Sequence, residues 1–118
     1  MQAVLPLETA PEDPPRNLTN LRGVHPLQGA EIANLSPALT EELNFNGPAT
    51  GVIILNVARG SQAQRFGARP GDVILTVNEE PVARVQDVEP KLVAVQNSWL
   101  IRLRRANGSF RIQASRNR

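Results

Sequence analysis

The chain of 118 residues has no cysteine, one histidine and only 3% aromatic residues, which excludes a disulfide framework, a thiolate metal site and an aromatic platform for nucleic-acid bases. A chain of this length is a single domain able to bury roughly two-thirds of its unfolded surface. Thirteen basic residues, twelve of them arginine, stand against eleven acids for a net charge of +2. Six arginines and no acid lie from Ser98 onward, so the basic character is a local patch on an otherwise acidic body.

Prolines crowd the N-terminal stretch, with Pro11, Pro14, Pro15 and Pro26 among them. Proline fixes φ and removes a backbone donor, so residues 1–26 are expected to form an extended linker, or the end of a preceding domain, with the folded domain over 27–115 and a tail over 116–118. No apolar run approaches the roughly 18 residues of a membrane span, and the first residues lack the basic-then-apolar layout of a secretory signal. Residues 30–34 alternate as a short strand does. Ser36 followed by Pro37 is an N-cap with proline at the first helical position, predicting a helix to about Leu43. The run 51–57, rich in β-branched residues, predicts a strand buried on both faces. Ser61 caps a short helix that Gly67 stops, Pro70-Gly71-Asp72 turns the chain into a strand over 73–77, and 78–81 turns it out again.

The next helix is expected over about 87–96 with Asp87 as N-cap, because that start puts Pro90 at the third helical position, where a missing N–H costs nothing. Val88, Leu92 and Val95 then share one face. Strands over 99–105 and 109–114 flank Asn107-Gly108, a preferred pair for a tight hairpin. The sum is a β-rich α+β unit of five or six short strands and two or three short helices.

Catalytic chemistry finds little support in these residues. Hydrolysis by a nucleophile needs a base and an orienting group, yet His25 is the only imidazole and precedes Pro26 in the linker. The adjacent acids Glu41 and Glu42 fall on an exposed helix, and Glu79 and Glu80 fall in a turn, where carboxylates are ordinarily solvated. No phosphate-binding glycine loop occurs. No catalytic residue, metal ligand or cofactor is expected, which leaves binding.

The stretch from Gly60 to Asn78 carries Gly60-Ser61-Gln62-Ala63, then Gly71-Asp72-Val73-Ile74, then Val77-Asn78. Its order and spacing resemble the core signature of PDZ domains. Upstream, Leu27-Gln28-Gly29-Ala30 followed by Glu31-Ile32-Ala33-Asn34 is similar to the carboxylate-binding loop and peptide-pairing strand of PDZ domains in the Do (HtrA, Deg) family of serine endopeptidases. The Pro-rich lead and Asn34-Leu35-Ser36-Pro37-Ala38 before a short helix most resemble the second, C-terminal PDZ domain of bacterial members. Departures from the family pattern are Gln62 where proline is common, Ala68 for leucine, Glu79 where the turn often has glycine, and Pro90 in the groove helix. The resemblance implies a partly open β-barrel or sandwich in the permuted bacterial strand order. It also implies a parent with a trypsin-like protease domain and a further PDZ domain, working in the periplasm on misfolded envelope proteins.

The loop's physics points the same way. Backbone N–H groups converging near Gly29 suit an anion such as a peptide's terminal carboxylate. The peptide backbone would pair with residues 30–34 as an added antiparallel strand, its last side chain entering a pocket between that strand and the second long helix. Leu27, Ala30, Ile32, Val88 and Leu92 are expected to line this pocket, with Gln28, Gly29, Glu31 and Asn34 completing the site. An apolar pocket favours a C-terminal Val, Leu, Ile or Phe, with another apolar residue two positions back. The partners expected are C-termini or unfolded segments of envelope proteins, together with the parent's protease and PDZ domains, and neither nucleic acid nor a membrane span. Two other readings stand beside this one. One is a docking module between protomers whose groove is closed by Pro90 or by the chain's own linker; the other is an anionic-surface binder working through the Arg-rich hairpin.

Overall fold

A computed structural model describes residues 14–93, 97–106 and 108–115. Its order is β1 (Thr19–Asn20), β2 (Ala30–Asn34), α1 (Pro37–Leu43), β3 (Val52–Val57), α2 (Gln62–Arg65), β4 (Val73–Val77), β5 (Glu80–Pro81), α3 (Val85–Val93), β6 (Ser98–Arg105) and β7 (Gly108–Ser115). The strands form one open antiparallel sheet in the order β1-β2-β3-β4-β6-β7, with β5 paired to β4. This is the expected β-rich architecture, with seven strands among the described residues where five or six are expected: β1 lies inside the stretch read as a linker and β5 inside the stretch read as a turn.

Local signals account for most boundaries. Ser36 Oγ accepts from the Leu39 N–H at 3.2 Å and starts α1 with Pro37 behind it, while Ser61 Oγ does the same for Gln64 at α2. Gly67, at φ +94°, ends that short helix in a conformation that costs other residues a Cβ clash. In β6, Trp99, Ile101 and Leu103 are buried, whereas Arg102 and Arg104 face outward, as period-two alternation requires. Strands β6 and β7 pair from Ser98↔Ser115 to Arg105↔Gly108, with Ala106 in a turn after β6. Residue 107 and the expected tail over 116–118 lie outside the described residues.

Two apolar clusters hold the sheet. The larger joins Ile54, Ile74, Val77, Val88, Leu92, Trp99, Ile101 and Leu103, and the smaller packs Leu39 of α1 on Ala33, Leu35, Ile53 and Val73. Strand β3 is buried over Val52, Ile53 and Ile54 but opens toward solvent at Asn56, so only its first half is covered on both faces.

Two expectations require correction. Helix α3 begins at Val85, two residues before the predicted cap, and carries Pro90 in its interior. The reason is a pair of acceptors that satisfy its first donors. Asn34 Oδ1 accepts from the Val85 N–H at 2.8 Å, and Asp87 reaches back to accept from the Ala83 and Arg84 N–H groups. Asp87 therefore acts as the acid of a capping box at the third helical position. Val95 and the predicted last turn over 94–96 lie outside the described residues. The second correction is the linker. Residues 14–26 pack on the domain, with Leu21 1% and His25 3% exposed.

Candidate functional site

The predicted pocket residues do come together. Leu27, Ala30, Ile32, Val88 and Leu92 belong to one cluster, each fully buried. Strand β2 supplies Ala30 and Ile32, and α3 supplies Val88 and Leu92 four residues apart on one face. All five are sealed from solvent, and Leu21, 1% exposed, belongs to the same buried cluster.

Leu21 directly follows β1, which runs antiparallel along the edge of β2 opposite β3, with Thr19 opposite Ile32 and Asn20 opposite Glu31. The pairing extends beyond the two residues of β1. Asn34 N–H donates to the Arg16 carbonyl at 2.8 Å, and Leu21 N–H donates to the Ala30 carbonyl at 2.8 Å. Gly29 N–H then donates to the Leu21 carbonyl at 3.0 Å. The segment follows α3 as well. Asn34 joins its start to the helix N-terminus, donating to the Pro15 carbonyl while accepting from Val85. At the other end, a Cβ built on Gly23 would lie 3.6 Å from Val93 Cγ1. Residues 15–23 thus lie in the cleft between β2 and α3.

The loop before β2 is rigidly built. Gly29 has φ +97°, and a Cβ there would sit 2.2 Å from Ser61 Cβ, so both its conformation and its neighbour demand glycine. Gln28 ties the loop to α2: its carbonyl accepts from Ala63 N–H and its Oε1 from Gln62 N–H. His25 folds beneath. The Leu27 N–H donates to Nδ1 at 3.2 Å, which leaves the proton on Nε2 to donate to the Arg22 carbonyl at 2.7 Å. Burial lowers the His25 pKa below its ordinary 6.5, against smaller upward pulls from the Arg22 carbonyl and the Glu89 carboxylate. The imidazole is a neutral structural brace.

Two predicted site residues play other parts. Asn34, 3% exposed, is a buried tie between the N-terminal segment and α3 rather than a groove contact. The Glu31 side chain turns to β3 and accepts from Asn56 Nδ2 at 2.8 Å, so only its backbone faces the added strand. The residues missed by sequence reasoning are Arg16 to Leu21. Leu21 followed by Arg22-Gly23 was the available signal, an apolar residue before a turn, but the surrounding prolines read as linker.

Residues 53–98 match a model of the PDZ domain. A putative serine protease HhoB from Synechocystis sp. is 33% identical over 99 residues, covering 78% of this chain. A probable periplasmic serine endoprotease DegP-like from Chlamydia trachomatis is 33% identical over 72 residues, covering 59%. The chain carries a PDZ domain of the HtrA type. It spans 24% and 14% of the length of those two relatives. Among solved structures, the HtrA3 PDZ domain bound to a phage-derived ligand (FGRWV) aligns with TM-score 0.63 at 24% identity, covering 74% of this chain and 80% of that one. The HtrA-type protease AlgW with decapeptide aligns with TM-score 0.64 at 27% identity, covering 74% and 27%. In this HtrA-type PDZ domain the matched stretch runs from Ile53 inside β3 past α3 to Ser98, and the Gly71-Asp72 pair within it is structural. Asp72, 1% exposed, accepts from the Arg69 N–H and pairs with Arg105, whose guanidinium also donates to the Gly67 carbonyl and stacks on Phe110 at 3.8 Å.

Proposed function

We propose that this domain is the peptide-capture module of an HtrA-type serine protease, taking C-termini or extended apolar segments of client proteins by strand addition at the outer edge of β2. The observation that carries the reading is the state of that edge. An extended segment already pairs with it antiparallel, its last carbonyl on the Gly29 N–H and its last side chain, Leu21, buried in the cluster that also holds Ile32, Val88 and Leu92. These are the three interactions a captured peptide would make: main-chain pairing for affinity, an N–H for the terminal oxygen, and a pocket for specificity. Leu27, Ala30, Ile32, Val88 and Leu92 are all apolar, which supports preference for Val, Leu, Ile or Phe at the ligand's last position. A parent protein with a protease domain, action in the periplasm, and a place as its second PDZ domain are part of the same proposal, supported by the DegP-like relatives. In this reading peptide cleavage belongs to the parent's protease domain.

The test is titration of isotope-labelled protein with peptides ending in a free Leu or Val carboxylate. Amide shifts are expected at Gly29, Ile32 and Leu92, weakened by amidating the peptide, with an intrinsic affinity of the freed cleft in the tens of micromolar, or roughly −6 kcal/mol. Absence of shifts there at millimolar peptide would refute it. The filled cleft also favours a second reading, a permanently closed domain that only docks protomers together; that reading predicts no shift with any peptide.

A further inference from the structure

The segment in the cleft is built as a ligand is built. It runs antiparallel to β2, so its C-terminal direction points at the loop around Gly29. Its backbone bonds extend from the Arg16 carbonyl to the Leu21 carbonyl, and only its last residue is fully buried, while Leu18 is 55% exposed and Asn20 is exposed. That is the burial pattern of a bound peptide with a single anchor. Past the anchor the chain leaves through Gly23 at φ +108°, a conformation that lets it turn away from the loop where a peptide would end. Arg16 pairs with Glu42 of α1 at 2.7 Å with the carboxylate 60% exposed, a pair of the solvent-screened kind.

Core packing alone does not explain this arrangement. A strand added only for stability would bury apolar side chains along its length, yet this one buries one. It also satisfies the Gly29 N–H, the donor that a ligand's terminal oxygen needs. We infer that Arg16 to Leu21 is a built-in pseudo-ligand, a cis occupant of the peptide cleft that an incoming apolar-ended peptide must displace, so that capture is gated by release of the domain's own N-terminal strand. The inference rests on the peptide-capture reading above. A tethered occupant acts at an effective concentration in the millimolar range. Against a peptide of tens-of-micromolar intrinsic affinity, this suppresses apparent binding by about 10- to 100-fold.

The absence of cysteine in the sequence makes a clean lock possible. Asn20 and Glu31 are opposite each other across β1 and β2, at a Cα separation that a disulfide spans. The double variant Asn20→Cys/Glu31→Cys, in the 118-residue chain, holds the segment in place when oxidised and frees it when reduced. The probe is a fluorescein-labelled hexapeptide, Arg-Asn-Leu-Thr-Asn-Leu with a free carboxylate, read by anisotropy. The expected result is no measurable binding to the oxidised form and restored binding on reduction. Leu21→Ser, which removes the anchor, is expected to bind at least ten-fold more tightly than the unaltered chain. Should Leu21→Ser fail to fold, the lock decides alone. Equal binding by the oxidised and reduced forms would overturn the gate while leaving peptide capture intact. No binding by either the reduced form or a folded Leu21→Ser chain would overturn peptide capture, and the gate with it. Failure of the two thiols to form the bond would contradict the pairing on which the inference stands.

Discussion

Glu79 sits at φ +69° beside Asn78 at φ +51°, the two central residues of the turn that joins β4 to β5. Both angles lie in the left-handed region that suits a tight hairpin turn. Asn78 is held there by its partners: its N–H donates to the Leu100 carbonyl, and its Oδ1 accepts from the Leu100 N–H, both at 2.7 Å. Glu79 is exposed, and a left-handed conformation costs an ordinary side chain about 1–2 kcal/mol. Glycine removes that cost and returns part of it through greater freedom of the unfolded chain. Glu79→Gly is therefore expected to stabilise the domain by about 1 kcal/mol in urea unfolding. His25 yields a pH prediction. Its folded-state pKa lies below its unfolded value of 6.5 because burial disfavours the charged ring, so the unfolded chain takes up the proton first. Stability from this group is complete above pH 6.5 and falls as pH drops toward the lowered folded pKa. Glu42 and Glu80, whose partners Arg16 and Lys91 pull them below 4.5, lose their contribution only at lower pH. The melting temperature should decline from pH 7 to pH 5, and His25→Gln should flatten that decline. An unchanged slope in the variant would remove His25 as the cause.

Among the elements, α3 owes its start to a residue far away in sequence. Asn34 lies 51 residues before Val85 and accepts its N–H, and it also donates to the Pro15 carbonyl. Asn34→Ala would strip a buried N–H and a carbonyl of partners at once, for an expected loss of about 2–3 kcal/mol. Hydrogen exchange at the Val85 amide should accelerate with it, and a loss under about 0.5 kcal/mol would show that water replaces both bonds. The same residue explains what the sequence could and could not reveal. Ser36 and Ser61 were legible as caps because each bonds an N–H three residues on. Asp87 was read as the cap because proline penalties within α3 favour a late start. Only the fold brings Asn34 to Val85 and permits the early one. Strand β1 was illegible for a related reason: two residues among prolines carry no periodic signal, and their pairing is decided by the unpaired edge of β2.

Across the whole molecule, the convergence of Leu27, Ala30, Ile32, Val88 and Leu92 followed from the loop-strand-helix order that the sequence displays, while the burial of Leu21 in the same cluster depended on a segment whose composition pointed elsewhere. The Arg-rich hairpin divides in a similar way. Arg102, Arg104 and Arg111 are exposed, as expected of a solvated sheet face. Arg105 instead ties distant parts together, since its guanidinium meets Asp72 before β4, the Gly67 carbonyl after α2 and the Phe110 ring of β7. The side chains of Asp72 and Arg105 are only 2% and 17% exposed, so removing one leaves the other charged and poorly solvated. Breaking a buried pair this way costs about 3–5 kcal/mol, more than the pair's net worth against an apolar substitute. Asp72→Ala is expected to lose about 3 kcal/mol or more, because it also strips the acceptor of the Arg69 N–H. Arg105→Met retains a stem over Phe110 and leaves Asp72 with the Arg69 N–H, so it should cost less than Asp72→Ala. Urea unfolding of the two single variants and the double variant gives the coupling. If the double variant is as unstable as the sum of the singles, the two side chains act independently, and the hairpin is held to the sheet by β-pairing and apolar packing alone.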